Sequence, residues 1–207
     1  LDADITAPSI PKIFGINKPA EAVDNSLLPH VTESGVKIMS MNMLLPNATD
    51  PVLWRGPVIS GVVKQFWEDV QWGDVDFLFV DMPPGTGDVP LTVFQSLPIN
   101  GILIVSTPQS LVSMIVDKAM NMAQMMQVPV LGMVENMRFL RCPDCGKEIP
   151  LFGSDDHVDN HAVPVLERIP LDPTVAAACD AGKLEQAEID YLAKTAVMLT
   201  ETFGKKQ

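Results

Sequence analysis

Five short apolar runs punctuate the chain: VKIMSM at 36–41, FLFV at 77–80, GILIVS at 101–106, VLGMV at 130–134 and VPVLERI at 163–169. Their apolar residues are mostly contiguous rather than alternating. That is the pattern of parallel strands buried on both faces by helices. Three intervening stretches carry apolar residues at helical spacing. Residues 56–69 place Val58, Val62, Val63 and Phe66 on one side. Residues 110–127 do so with Val112, Ile115, Val116, Ala119, Met122, Ala123 and Met126, and 186–203 with Ile189, Leu192, Ala193, Ala196, Val197 and Leu199. The β-α-β-α alternation predicts an α/β fold, doubly wound around a mostly parallel sheet, in a single domain over 1–207. Residues 138–161 are polar, turn-rich and without periodicity, so an insertion on the rim is expected there.

Composition narrows the classes. The 207 residues carry 26 acidic against 14 basic side chains, a net charge of −12. That balance argues against a nucleic-acid face, which needs Lys and Arg to neutralise phosphates. No apolar run approaches the roughly 18 residues of a membrane span, and no basic-then-apolar leader opens the sequence. The expectation is a cytoplasmic protein with neither membrane nor nucleic acid as partner. Three cysteines are too few, and odd in number, for a disulfide framework. Met114, Met120, Met122, Met125 and Met126 crowd one segment and are read first as adaptable core packing.

The chemistry concentrates in three places. FLFVDMPPGTGD, at 77–88, ends an apolar strand on Asp81 and follows it with Pro83, Pro84, Gly85, Thr86 and Gly87. In open α/β sheets ligands bind beyond the carboxyl ends of strands, where such a carboxylate is delivered. Two prolines keep the loop out of a helix, and the glycines let backbone approach a ligand. An Asp capping a turn is the plainer alternative. LDADITAPSIP places Asp2 and Asp4 two residues apart, suited to one carboxylate near a metal-bound water and one near an attacking water, or simply to a solvated acidic turn. Cys142-Pro-Asp-Cys145-Gly is a turn that lets two thiolates converge on one metal. His157 and His161 stand where a Cys2His2 zinc site would take them, and free thiols on a structural turn are the third reading. Cys179, in an Ala-rich helical run, is expected in the core.

Taken in order, LDADITAPSIP, WRGP at 54–57, WGDVDFLFVDMPPGTGD at 72–88, STPQ at 106–109, VENM at 134–137 and CPDCG at 142–146 resemble the Mrp/ApbC family of iron–sulfur cluster carrier ATPases, relatives of MinD and ParA. The resemblance runs from Leu1 to about Phe203. It implies a homodimer that binds ATP with Mg2+, holds a [4Fe–4S] cluster between two Cys pairs and passes it to apo iron–sulfur client proteins. Hydrolysis would be slow and serve as a conformational switch. By resemblance Asp81 matches the Walker B aspartate near Mg2+, Asp2 lies near the metal and Asp4 positions the attacking water. Gly85, Thr86 and Gly87 match the switch II segment that meets the γ-phosphate. Asn136 matches the adenine-recognising asparagine, whose amide both donates and accepts, and Pro170 and Asp172 fall where the far side of the base pocket is built. Cys142 and Cys145 match the cluster ligands, with zinc possible in the cluster's place.

The family's Gly-rich phosphate loop precedes LDAD and is not in these 207 residues. The sequence opens on Leu1-Asp2-Ala3-Asp4 as though inside an element. A fragment wanting a strand, loop and helix of at least about 30 residues is therefore expected, its strand pairing centrally beside the Asp81 strand. Two other functions stay in view. A MinD- or ParA-like positioning ATPase needs an amphipathic tail or a basic face, which LTETFGKKQ and the acidic balance do not favour. A zinc-stabilised interaction domain without nucleotide activity needs only the Cys turn.

Overall fold

The computed structural model describes residues 1–204 except 25, 48–49, 51–53, 55 and 153–162. The elements up to residue 100 are α1 (Ile10–Ile13), β1 (Glu21–Val23), β2 (Ser26–Leu28), β3 (His30–Val31), β4 (Lys37–Ile38), α2 (Gly56–Glu68) and α3 (Asp88–Ser96). They are followed by β5 (Ile102–Ser106), α4 (Ser110–Met125), β6 (Val130–Glu135), β7 (Phe139–Arg141), β8 (Glu148–Pro150), β9 (Val165–Arg168), α5 (Pro173–Asp180) and α6 (Ala193–Phe203). The chain folds as two compact units: Leu1–Pro98 with Thr174–Ala187, and Ile99–Pro173 with Glu188–Gln207.

In the second unit three apolar runs become a parallel sheet in the order β5-β6-β9. Its register sets Ile104 opposite Met133 and Met133 opposite Val165. Helix α4 crosses over between β5 and β6. Val116 of α4 closes a core with Ile104 and Met133, flanked by Ile102, Val112, Met120, Val130, Val163 and Val165. A strand–helix–strand crossover of this length is what parallel pairing requires. Gly132 lets β6 and β9 approach closely, since a Cβ there would stand 2.6 Å from Leu166 Cγ. Within 138–161, whose residues 153–161 lie outside the described ones, the chain forms the antiparallel β7–β8 hairpin, with Phe139 opposite Pro150 and Arg141 opposite Glu148.

In the first unit Asp2 and Asp81 form a parallel bridge. Leu1 N donates to Phe79 O at 2.7 Å, Asp81 N to Leu1 O at 2.9 Å and Ala3 N to Asp81 O at 2.7 Å. On its other edge Asp2 N donates to Met39 O at 2.9 Å. Helix α2 buries Ile59, Val63 and Phe66 and lies against α3, where Thr92 Oγ1 donates to Ser60 Oγ at 2.7 Å. The indole of Trp72 donates to Phe66 O at 3.0 Å and locks the chain after α2. No helix among the described residues is long and apolar enough to cross a membrane.

Several sequence expectations are corrected. The run 36–41 gives only the two-residue β4, paired antiparallel with β3, before a 3-10 turn at Met41–Met43. The run 77–80 enters no regular ladder beyond the Asp81 bridge. The last helix starts at Ala193 rather than 186, behind a separate 3-10 turn at Leu184–Gln186. Apolar spacing also overstates burial. Val58 is on the outer side of α2, Ile115 and Met114 are exposed on α4, and Val197 and Leu192 are exposed at α6, where Leu199 and Thr195 are the buried residues. Phe79 and Val105, in two of the apolar runs, are 61% and 67% exposed. Cys179 is half-buried on α5, a helix with no buried residue, and is not in the core.

Candidate functional site

The first unit gathers three of the predicted carboxylates. Backbone pairing puts Asp2 beside Asp81, so both side chains project to one face of the bridge. Asp2 is 1% exposed. Its Oδ2 accepts from Ser40 Oγ at 2.8 Å and from Ile10 N at 3.4 Å, and its Oδ1 from Asp4 N at 3.2 Å. Burial pushes the Asp2 carboxyl up, against the pull of the Ser40 hydroxyl. Asp81 is also raised, by desolvation first and by the Asp4 charge second. Asp4 folds the chain back on itself: its Oδ1 accepts from Thr6 Oγ1 at 3.0 Å and Ala7 N at 3.1 Å. Two carboxylates are thus held against their own ionisation.

The loop after Asp81 is irregular, as its prolines require. Gly85 takes φ +91°, a conformation open to glycine and costly for other residues. Thr86 and Gly87 are exposed. Gly87 opens α3 with no side-chain cap, so the first amides of α3 point outward unpaired by a cap. Asp88 packs its carboxylate against Gly56, where a Cβ would collide with it, tying the loop's end to the start of α2.

The second unit holds the other predicted residues. Asn136 follows β6; its amide N donates to Ser106 O at 2.7 Å and its Oδ1 accepts from Met137 N at 3.0 Å. Pro170 is buried. Asp172 accepts the Tyr191 hydroxyl at 2.7 Å, which pushes the phenol up. At the tip of the β7–β8 hairpin the chain turns back on itself, with Cys142 N donating to Lys147 O and Gly146 N to Cys142 O, both at 2.9 Å. Gly146 takes φ +71° to close the turn. The amides of Cys145 and then Asp144 point at the Cys142 sulfur, and with the Cys145 thiol they lower the Cys142 thiol below its ordinary 9.0. Cys145 is exposed and Cys142 half-buried. Amide donors aimed at a sulfur stabilise a thiolate, the form that ligates metal.

Among the described residues no three His, Cys, Asp or Glu side chains converge on one point. The Cys pair therefore offers two ligands from this chain. His157 and His161, the alternative zinc ligands, lie outside the described residues, as does Arg55.

Sequence reading overlooked Ser40, Tyr191 and Glu135. Glu135 is buried at the end of β6, its Oε2 3.1 Å from Arg168 Nε and 3.7 Å from Arg138 Nε. The signal was present, since VLGMVE ends an apolar strand on a carboxylate as FLFVD does.

A family model described as ParA, NUBPL iron-transfer P-loop NTPase, matches residues 1–202. An iron–sulfur cluster carrier protein of Clostridium perfringens is 43% identical over 197 residues, 90% of this chain and 69% of that protein. Another of the same description, from Methanocaldococcus jannaschii, is 44% identical over 187 residues, 88% of this chain and 64% of that protein. The chain thus spans about two thirds of the length of these curated relatives. A nucleotide-binding protein of Archaeoglobus fulgidus, solved in complex with ADP, superposes with a TM-score of 0.79 at 38% identity, over 92% of this chain and 76% of that one. The cell-division ATPase MinD of Pyrococcus furiosus, at 18% identity and TM-score 0.58 over 97% of this chain and 84% of that one, shares the fold.

Proposed function

The chain belongs to the NUBPL iron-transfer P-loop NTPase family of ParA type, and from that premise we propose that it acts as a cytoplasmic iron–sulfur cluster carrier. The cargo is a [4Fe–4S] cluster held between the Cys142–Cys145 pairs of two copies and passed to apo-protein clients. The observation that carries this reading is the turn itself: two accessible thiols, one of them stabilised as thiolate by two backbone amides. Two thiolates satisfy half of a cluster's usual ligation, and a second copy completes it.

Nucleotide is the proposed switch. The Asp2 and Asp81 carboxylates suit Mg2+, because both are raised by desolvation and gain from a neighbouring cation. Asp4 is assigned to orienting a water, and Gly85, Thr86 and Gly87 to the γ-phosphate. Asn136 is assigned to the adenine, with Pro170 and Asp172 on the base side. Bound ATP supplies a γ-phosphate whose loss changes which loops are held.

The test is anaerobic reconstitution with iron and sulfide, read by absorption and iron content, on the chain and on a Cys142→Ala, Cys145→Ala variant. A broad band near about 400 nm, about four irons per two chains, and loss of both in the variant are expected. A folded chain that takes up one tight zinc and no cluster overturns the carrier reading in favour of a zinc-stabilised domain.

A further inference from the structure

In the second unit the chain between β6 and β7 carries an extra residue. Ile169 N donates to Glu135 O at 2.8 Å, and Arg138 N donates to Ile169 O at 2.9 Å. A regular parallel ladder holds one residue between those two bonds; here both Asn136 and Met137 lie between them, Asn136 still bonded to Ser106 O on its other edge and Met137 at φ +55°. The next bond, from Leu171 N to Phe139 O at 2.8 Å, stands one residue further out of register. On the opposite edge Leu151 N donates to Arg138 O at 3.3 Å. The root of the Cys hairpin is thus held on both sides, immediately after the bulge that displays Asn136.

One buried carboxylate spans this junction. Glu135 Oε2 receives Arg168 Nε, from the end of β9, and faces Arg138 Nε, from the root of the hairpin. The Arg138 side chain is 6% exposed and that of Glu135 2%. We propose that Glu135 is a positioning residue that couples the Asn136–Met137 bulge to the Cys142–Cys145 turn, by clamping Arg138 and Arg168 across it. The inference rests on the reading above, in which Asn136 meets the nucleotide base and the Cys pair the cluster, and adds the path between them. A bulge stores one residue of register, and taking it up reverses which face each following side chain presents. From Arg138 to Cys142 is about 13 Å of extended strand, so a shift at the bulge arrives at the thiols with little loss. Coupling of this kind is reciprocal: what metal does to Asn136, a ligand at Asn136 does to the metal.

The experiment uses Zn2+ as the probe and the Asn136 side-chain amide and Met137 backbone amide as reporters, in 1H–15N spectra of the full chain. Zn2+ is expected to shift both signals in the native chain and neither in the Cys142→Ala, Cys145→Ala variant. In Glu135→Gln, and in Arg168→Gln, which alters the half-exposed partner and keeps Arg138 paired, Zn2+ still binds and the shifts fall to less than half. A purely structural role for Glu135 moves the resting spectrum without changing the response to Zn2+. Zn2+ binding with no shift at Asn136, or with undiminished shifts in both variants, overturns the coupling. No Zn2+ binding at the Cys pair is a separate outcome, which removes the metal-binding reading and the coupling with it.

Discussion

Asp81→Asn is expected to stabilise the first unit at neutral pH. The bridge places Asp2 and Asp81 on adjacent backbone about 4.8 Å apart with side chains on one face. Two carboxylates about 5 Å apart repel by about 3 kcal/mol at an effective dielectric of about 20, and by about 1 kcal/mol in bulk water. Asp2 is buried, but Asp81 is exposed, so the solvated limit governs and the gain is about 1 kcal/mol. The sign follows from linkage. The Asp81 carboxyl is raised above its ordinary 3.8 in the folded state, by desolvation first and by the Asp4 charge second, and Asp81 in turn raises Asp2, so the folded chain holds the proton more tightly than the unfolded one. The penalty on the native protein is complete above the folded pKa and fades as pH falls toward 3.8. Trp54, Trp67 and Trp72 are the only tryptophans and all lie in the first unit, so their fluorescence follows its unfolding alone. The midpoint in urea should rise by about 1 M at pH 7, for a slope near 1 kcal/mol per molar, and by much less at pH 4. A variant no more stable than native at pH 7, or a gain undiminished at pH 4, refutes the reasoning. Natural chains keep such a cost where a charge is used, here for the cation proposed above.

Gly132→Ala drives a Cβ to 2.6 Å from Leu166 Cγ between β6 and β9, and should cost about 1–3 kcal/mol by overpacking. The second unit has no tryptophan, so the part of the far-UV circular dichroism transition in urea that tryptophan fluorescence does not follow measures it. Cys142 should be the first of the three cysteines alkylated in a brief iodoacetamide pulse at pH 7, because backbone amides favour its thiolate, and peptide mass spectrometry reads the order. Tyr191→Phe removes the hydroxyl that Asp172 accepts at 2.7 Å and should cost about 1 kcal/mol or less, measured by thermal unfolding.

The parallel strands β5, β6 and β9 and the helices α2 and α4 were legible because their apolar content is local and dense. The same logic singled out Asp81, since it ends an apolar run on a carboxylate. Spacing failed where burial depends on a neighbour distant in sequence. Val58 and Ile115 keep helical periodicity yet face outward, and Val197 is exposed while Thr195 is buried on α6. The run at 36–41 carries enough apolar residues for a strand, but a hairpin with β3 takes its first half and a 3-10 turn ends it. Glu135 ends its run as Asp81 does and has Arg138 three residues on, but nothing local announces Arg168, 33 residues away, as its second partner.

The sequence by itself determined the α/β class, the placement of candidate chemistry at strand ends and the Cys turn, because each rests on contiguous residues whose conformational preferences are set locally. Pro83 and Pro84 keep this loop out of a helix interior, and a Cys-x-x-Cys turn closes on itself. Tertiary structure alone decided that Asp2 lies against Asp81, that Ser40 holds Asp2, and that one carboxylate grips both the hairpin root and β9. All of them join segments far apart along the chain except the Arg138 arm of the last, which is three residues from Glu135. Their energies come from charge and desolvation, which depend on what surrounds a group in space and leave no periodic trace in its neighbours along the sequence.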